Sequence, residues 1–221
     1  RRLVLRYAGY PDLERVLSVD GTNQTLSVPT PTKAPFTAEQ AKDYQRRWAE
    51  YLGVPVEKTN SIGMKFRLIP PGEFEMGDGT QNRRVRLTQP FYVSVHEVTQ
   101  KQYAQVMGEN PAQFKNPTSP VERVTWYEAL AYCNGLSERE NLRPCYHIES
   151  SARHTAQIRR GNGYRLPTEA QWEYVCRAGT VTEWYFTGGE AGLAAHAWYR
   201  ANSEGKTHAV GGKNANPYGL H

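Results

Sequence analysis

The chain reads as an α+β protein, and two patterns carry that reading. Four times a threonine is followed three residues later by Gln or Glu at the head of an apolar-periodic run: Thr37 and Gln40, Thr99 and Gln102, Thr125 and Glu128, Thr168 and Gln171. This is the signature of a helix start, in which the two side chains reciprocally satisfy backbone N–H groups that have no partner inside the helix. Around these helices lie short runs of period-two alternation separated by Gly, Pro and Asn, the pattern of antiparallel strands. With 221 residues, 38% of them hydrophobic, the chain can bury one sizeable core, which fits one domain with an appendage.

Residues 1–28 read as the end of a small β module. Leu3, Leu5 and Tyr7 alternate with polar residues, the chain turns at Gly9, and alternation resumes at Val16 and Ser18. That predicts three short antiparallel strands, too few for an independent core. Residues 29–59 are a linker and a docking helix. Pro29, Pro31 and Pro35 make the linker stiff and extended. The helix starts at Thr37 and stops at Gly53 and Pro55, with Ala41, Tyr44, Trp48 and Leu52 on one face.

The remaining segment, 60–221, opens with "IGMKFRLIPPGEFEMG", a strand, a Pro-Pro-Gly turn and a strand, and continues with "RRVRLTQPFYVSVHEVT", again strand, break and strand. Helices follow from Thr99 and Thr125. In "GYRLPTEAQWEYVCRAGT" the helix from Thr168 should turn Trp172, Val175 and Cys176 to the core at i, i+3, i+4 spacing. Glu173 and Arg177 form a surface i,i+4 pair, and Gly179 ends the helix. "GGEAGL" and "GGKNANPYG" lack the strand-to-helix context of a phosphate loop and read as turns.

Several function classes fall away at this level. The net charge of +5 is spread along the chain without a basic tail or stripe, which argues against nucleic acid as a partner. There is no apolar run long enough for a membrane span and no signal-peptide pattern. The sequence begins at Arg1 without a methionine and stops at His221 within "NPYGLH", so it reads as a fragment cut at both ends, expected to be inactive and marginally stable alone. Cys133, Cys145 and Cys176 form no CxxC pattern; Cys133 and Cys176 read as small thiols at apolar helix positions. "HEVTQ" at His96 has Gln100 where a zinc-protease motif needs a second histidine. His147, His154, His196, His208 and His221 lie in polar, loop-like stretches and read as isolated, solvent-facing groups. Glu169 and Glu173 have a structural explanation, and no acid/base pair is placed with them.

Five ordered blocks point further: "NSIGMKFRLIPPGEFEMG", "PFYVSVHEVTQKQYAQVMG", "PVERVTWYEALAYCNGLSERENLRPCY", "GYRLPTEAQWEYVCRAGT" and "HAVGGKNANPYGL". Together they closely resemble the formylglycine-generating enzyme family, also called sulfatase-modifying factor, from about Asn60 to the last residue. The resemblance implies a C-type-lectin-like fold. It implies an oxidase that converts a cysteine of a sulfatase-like protein to formylglycine with molecular oxygen and a copper ion held by two cysteine thiolates, the soft ligands that select Cu(I). Other members of the fold are binding modules or iron enzymes, so the alternative is a non-catalytic module that binds a peptide, glycan or partner protein.

By the same resemblance the cofactors are copper and calcium, and the partner is a sulfatase-like protein or peptide substrate or a binding partner. The family's copper cysteines and its Gly-Asn-x-x-Glu-Trp calcium block come after the segment like "NPYGL", so the catalytic, cofactor-binding and metal residues are unknown here. Cys133 and Cys176 match the family's helix cysteines, which in some members form structural disulfides to the C-terminal part. Cys145 lies in an insertion-like segment before Gly163. At the family's other calcium position, near Trp198, Asn202 and Glu204 are the oxygen ligands on offer, in a loop that reads as a plain turn. The N-terminal strands resemble the end of a PEGA-type β repeat, which implies a multidomain bacterial parent, in the cytoplasm or attached to a membrane.

Overall fold

All four capping boxes form in the computed structural model, which describes residues 2–7, 10–18, 28–149 and 155–221. They open α1 (Ala38–Leu52), α2 (Gln100–Met107), α3 (Trp126–Arg139) and α4 (Glu169–Arg177). In α1, for example, the Gln40 amide donates to the Thr37 hydroxyl at 3.2 Å, and the Thr37 amide donates to the Gln40 side-chain oxygen at 2.8 Å. Each such cap contributes about 1 kcal/mol. A fifth helix, α5 (Gly189–His196), corrects the reading of "GGEAGL" as a turn. Gly188 and Gly189 do take positive φ, but the Glu-Ala-Gly-Leu-Ala-Ala run behind them has enough helix propensity to continue from that bend.

The first strands, β1 (Arg2–Tyr7) and β2 (Tyr10–Ser18), pair antiparallel with Leu3 opposite Leu17. The third strand expected of this module falls at 19–27, outside the described residues. Next come β3 (Thr32–Lys33), β4 (Glu57–Thr59), β5 (Lys65–Ile69), β6 (Gly72–Met76), β7 (Arg83–Leu87) and β8 (Phe91–Ser94). Ile69 lies opposite Phe91 in the β5–β8 ladder and Gly72 opposite Leu87 in the β6–β7 ladder. The four strands are thus one long hairpin whose arms are both interrupted, at Pro70-Pro71 on one side and at residues 88–90 on the other. Proline cannot donate to a ladder, so pairing lapses there. The two halves then enter different sheets, ordered β4-β5-β8 and β3-β6-β7, with β3 parallel to β6. A last hairpin, β9 (Tyr146–Glu149) with β10 (Thr155–Ile158), places His147 on a strand instead of a loop; His154 lies outside the described residues.

Helix α1 lays Trp48 against Leu68 of β5 and Ala41 into the cluster around Ile69, Phe74 and Tyr174. Gln45 of the same helix donates to the carbonyls of Leu68 at 3.0 Å and Tyr218 at 3.2 Å. The "NPYGL" segment is held from the other side by Asn216. Its side-chain nitrogen donates to the Val175 carbonyl at 2.6 Å, while its oxygen accepts from the amides of Tyr218 and Leu220. The buried Tyr218 hydroxyl meets that of Tyr174 at 3.1 Å, and Tyr174 donates to the Pro70 carbonyl at 3.2 Å and hydrogen-bonds Thr32. Among the described residues no helix is long and apolar enough to cross a membrane.

Helix α4 departs from its expected phase. Its inward stripe is Ala170, Tyr174, Val175 and Ala178, whereas Trp172 is 60% exposed and Cys176 only half-buried. The partner decides this: α4 packs across β6, and Tyr174 must reach Pro70 and Thr32. The cap residue is Ala178 in the left-handed region (φ 44), with Gly179 (φ 96) just after it.

Nor are Glu173 and Arg177 a free surface pair. Glu173 accepts from the Gly77 amide at 2.9 Å and from Arg177 at 2.7 Å, and Arg177 donates to the Gly77 carbonyl at 2.6 Å. Both side chains are only 21% exposed, and together they brace the end of β6. Glu173→Ala is therefore expected to lower unfolding free energy by about 1–2 kcal/mol, measured by urea denaturation. An unchanged midpoint would show that water replaces the brace without loss.

Candidate functional site

Period-two alternation in β5 turns Phe66 and Leu68 to one face of the sheet. Leu68 meets α1, and Phe66 faces the cluster built from α2 and α3, which holds Met64, Tyr103, Tyr132 and Leu136. The rings of Tyr103 and Tyr132 stack 5.4 Å apart at 11°, and Tyr164, from the segment leading into α4, tilts against Phe66 at 5.5 Å. These side chains do not fill the space between β5, β8, the two helices and residues 162–167. They line a cavity of about 570 Å³, a size typical of ligand pockets.

The cavity's buried lining is Met64, Phe66, Tyr103, Tyr132, Cys133 and Leu136. Its charged lining residues Lys58, Glu97 and Arg165 are exposed. The Lys58 ammonium lies 4.1 Å over the Tyr92 ring, and Arg165 donates to the Gln171 side chain at 2.8 Å. Burial holds the phenols of Tyr103, Tyr132 and Tyr164 above the ordinary tyrosine value, so each carries its proton at neutral pH.

Cys133 also lines the cavity and packs with Cys145, Leu130 and Tyr146. Burial, with a smaller contribution from Cys145, pushes the Cys133 thiol up to about 12. A copper site of the kind the family uses needs two thiolates. The environment of Cys133 favours the neutral thiol, Cys145 donates to the Gly163 carbonyl at 3.5 Å, and Cys176 stands on another helix, its thiol also pushed up by burial. These three cysteines do not fit that group. Among the described residues no three His, Cys, Asp or Glu side chains gather as a metal cluster.

The sign of the pH effect is set by the raised value. Between the ordinary thiol value of 9.0 and about 12 the unfolded chain has released the Cys133 proton and the folded chain still holds it. Stability from this group is complete below about pH 9 and is lost as pH rises toward 12. Tyr132 and Tyr218 shift in the same direction through burial. Denaturation midpoints measured across pH 8–12 are expected to fall steadily, and less steeply in Cys133→Ala.

The other sequence candidates lie elsewhere. The Asn202 side-chain oxygen accepts from the Tyr199 amide at 2.8 Å and its nitrogen donates to the Ala197 carbonyl at 3.0 Å, while Glu204 pairs with Lys206 at 2.7 Å. These contacts build a turn. His196 and His208 are not solvent-facing singles. His196 stacks on Phe186 at 4.0 Å and His208 on Trp198 at 3.8 Å, and each ring also hydrogen-bonds a backbone carbonyl. His147 lies 3.7 Å from Glu149 across one strand position, and His221 is exposed. The cavity itself had no signal in spacing, because its tyrosines come from β8, α2, α3 and the loop before α4.

Comparison with known proteins places this geometry. Residues 53–221 match the family described as the sulfatase-modifying factor enzyme 1-like domain. A protein named chaperone protein LppX, from Paenibacillus barcinonensis, is 38% identical over 149 residues, covering 62% of this chain. The match spans 53% of that protein's length. Among solved structures, Treponema denticola variable protein 1 superposes with a TM-score of 0.69 at 32% identity, over 76% of this chain and 73% of that one. PvdO from Pseudomonas aeruginosa shares the fold, with a TM-score of 0.56 at 22% identity over 75% and 69% of the two chains.

Proposed function

The chain belongs to the sulfatase-modifying factor enzyme 1-like family, and from that premise we propose that this domain recognises an extended segment of a partner protein, taking an apolar side chain into the cavity between β5, β8, α2 and α3. The observation that carries the reading is the cavity, about 570 Å³ in volume, with an apolar, aromatic interior and charges only where it is exposed. The resemblance to formylglycine-generating enzymes, which act on a peptide segment of another protein, supports it. So does the likeness to a relative named as a chaperone.

The test is direct. Peptides selected from a random displayed library against this chain would be titrated by calorimetry against the chain and Ala129→Phe. Ala129 lines the cavity from the first turns of α3. Filling the space with a phenyl ring is expected to weaken binding at least tenfold with the fold intact. Undiminished binding would put the recognition surface elsewhere.

Family membership also raises oxidation of a substrate cysteine as a second reading. Cys133, Cys145 and Cys176 do not supply its copper thiolates, so no step of it is built on this chain's cysteines. Copper-dependent oxygen uptake in the presence of a cysteine peptide is the measurement that would favour it.

A further inference from the structure

Four phenols line the cavity; the Tyr92 hydroxyl donates to the Pro55 carbonyl, and the other three donate to no strong acceptor among the described residues. The Tyr132 hydroxyl points to the Met64 thioether at 3.2 Å, a weak partner. The Tyr164 oxygen accepts from the Asn60 side chain at 3.3 Å, which leaves its own proton without an acceptor among the described residues. Tyr103 is 2% exposed as a residue, and its hydroxyl, still accessible at the cavity, makes no hydrogen bond to another described residue. Three hydroxyls that face one cavity without a strong acceptor are placed to donate to one that arrives with a ligand.

We propose that the cavity selects an uncharged carbonyl carried on an apolar body, the main-chain carbonyl next to the side chain that fills it, with Tyr103 as the principal donor and Tyr132 and Tyr164 as further ones. This rests on the peptide-recognition reading above and adds to it the polar half of the ligand. The acceptor is uncharged because the buried lining contains no cation: Lys58 and Arg165 are exposed and engaged with Tyr92 and Gln171. Burying a carboxylate away from such partners is costly, whereas an amide carbonyl needs only the hydrogen bond. A ligand cation is disfavoured likewise, since Glu97, the acid in the lining, is exposed. Tyr103 is a binding residue on this account.

The experiment compares N-acetyl-phenylalaninamide with ethylbenzene, which has the aromatic body without the carbonyl, by NMR titration of the whole chain. Both are expected to shift cavity resonances. Tyr103→Phe should weaken the amide about five- to tenfold and leave ethylbenzene unchanged. The same substitution should leave the melting temperature unchanged, because it removes a hydroxyl that makes no hydrogen bond to another described residue; a purely structural tyrosine would lose stability instead. If both compounds bind Tyr103→Phe as they bind the parent, or if Tyr103→Phe lowers the melting temperature, the carbonyl inference is overturned while recognition at the cavity stands. Tyr132→Phe, measured alongside, distinguishes which hydroxyl carries the bond. If neither compound shifts a cavity resonance, the peptide-recognition reading fails and this one with it.

Discussion

Trp48→Ala is expected to lower the unfolding free energy by about 3–5 kcal/mol, the range for removing a fully buried large aromatic. Trp48 is 0% exposed, sits edge-on to Tyr51 at 5.6 Å, packs on Leu68, and donates from its indole nitrogen to the Thr30 carbonyl at 3.4 Å. The substitution therefore leaves a cavity at the joint between α1 and β5 and an unpaired carbonyl beside it. Denaturant unfolding followed by far-ultraviolet circular dichroism is the measurement, with Trp48→Phe as the conservative control that should recover much of the loss. A deficit under about 1 kcal/mol would mean that α1 is held by its caps and by Gln45, and that the tryptophan contributes little.

Gly72→Ala is expected to cost about 3 kcal/mol although it adds a single methyl group. A Cβ at this position would overlap the Thr32 hydroxyl and the Tyr174 hydroxyl and come within 2.7 Å of the Thr32 carbonyl. None of the three can retreat. Thr32 is paired to β6 through the ladder, and Tyr174 is tied to Pro70 and Tyr218. The added methyl must either push β3 off its neighbour or break the buried hydroxyl chain. Loss of the near-ultraviolet dichroism of the tyrosine cluster, together with the lowered midpoint, is the expected signature. A midpoint within about 0.5 kcal/mol of the parent would show that the three segments meet loosely.

How much of the fold was legible depends on how local the cause is. The starts of α1 to α4 were readable from Thr37, Thr99, Thr125 and Thr168 because a capping box is closed within four residues. The facing of α4 was not. Trp172 and Tyr174 are both plausible core residues by type, and only the position of Pro70 and Thr32, more than a hundred residues earlier in the chain, selects Tyr174. Helix α5 was hidden by its own glycines, which favour a bend at its start and carry no signal for the helical residues behind them. The strands flanking Pro70-Pro71 were expected as strands, yet that they enter two sheets becomes apparent only when the matching break at residues 88–90 is paired with them. The candidate cavity was the least readable feature. Tyr103, Tyr132 and Tyr164 lie about thirty residues apart, at no spacing that any helix or strand period relates, so nothing local marks them as neighbours.

The bonds around Tyr218 have a consequence in time. Gln45 reaches Tyr218 across 173 residues of chain, and Tyr174 reaches Thr32 across 142. Loop-closure entropy must be overcome before such contacts reward it, and high contact order slows folding. On a ribosome, α1 emerges early with Trp48 and Gln45 already in place, but its docking remains incomplete until the "NPYGL" segment arrives. Nascent chains halted between residues 100 and 210 would therefore hold α1 docked on Leu68 through Trp48 but with Ala41, Tyr44 and Gln45 still waiting for Tyr174 and Tyr218, a long interval in which a holding chaperone has something to hold.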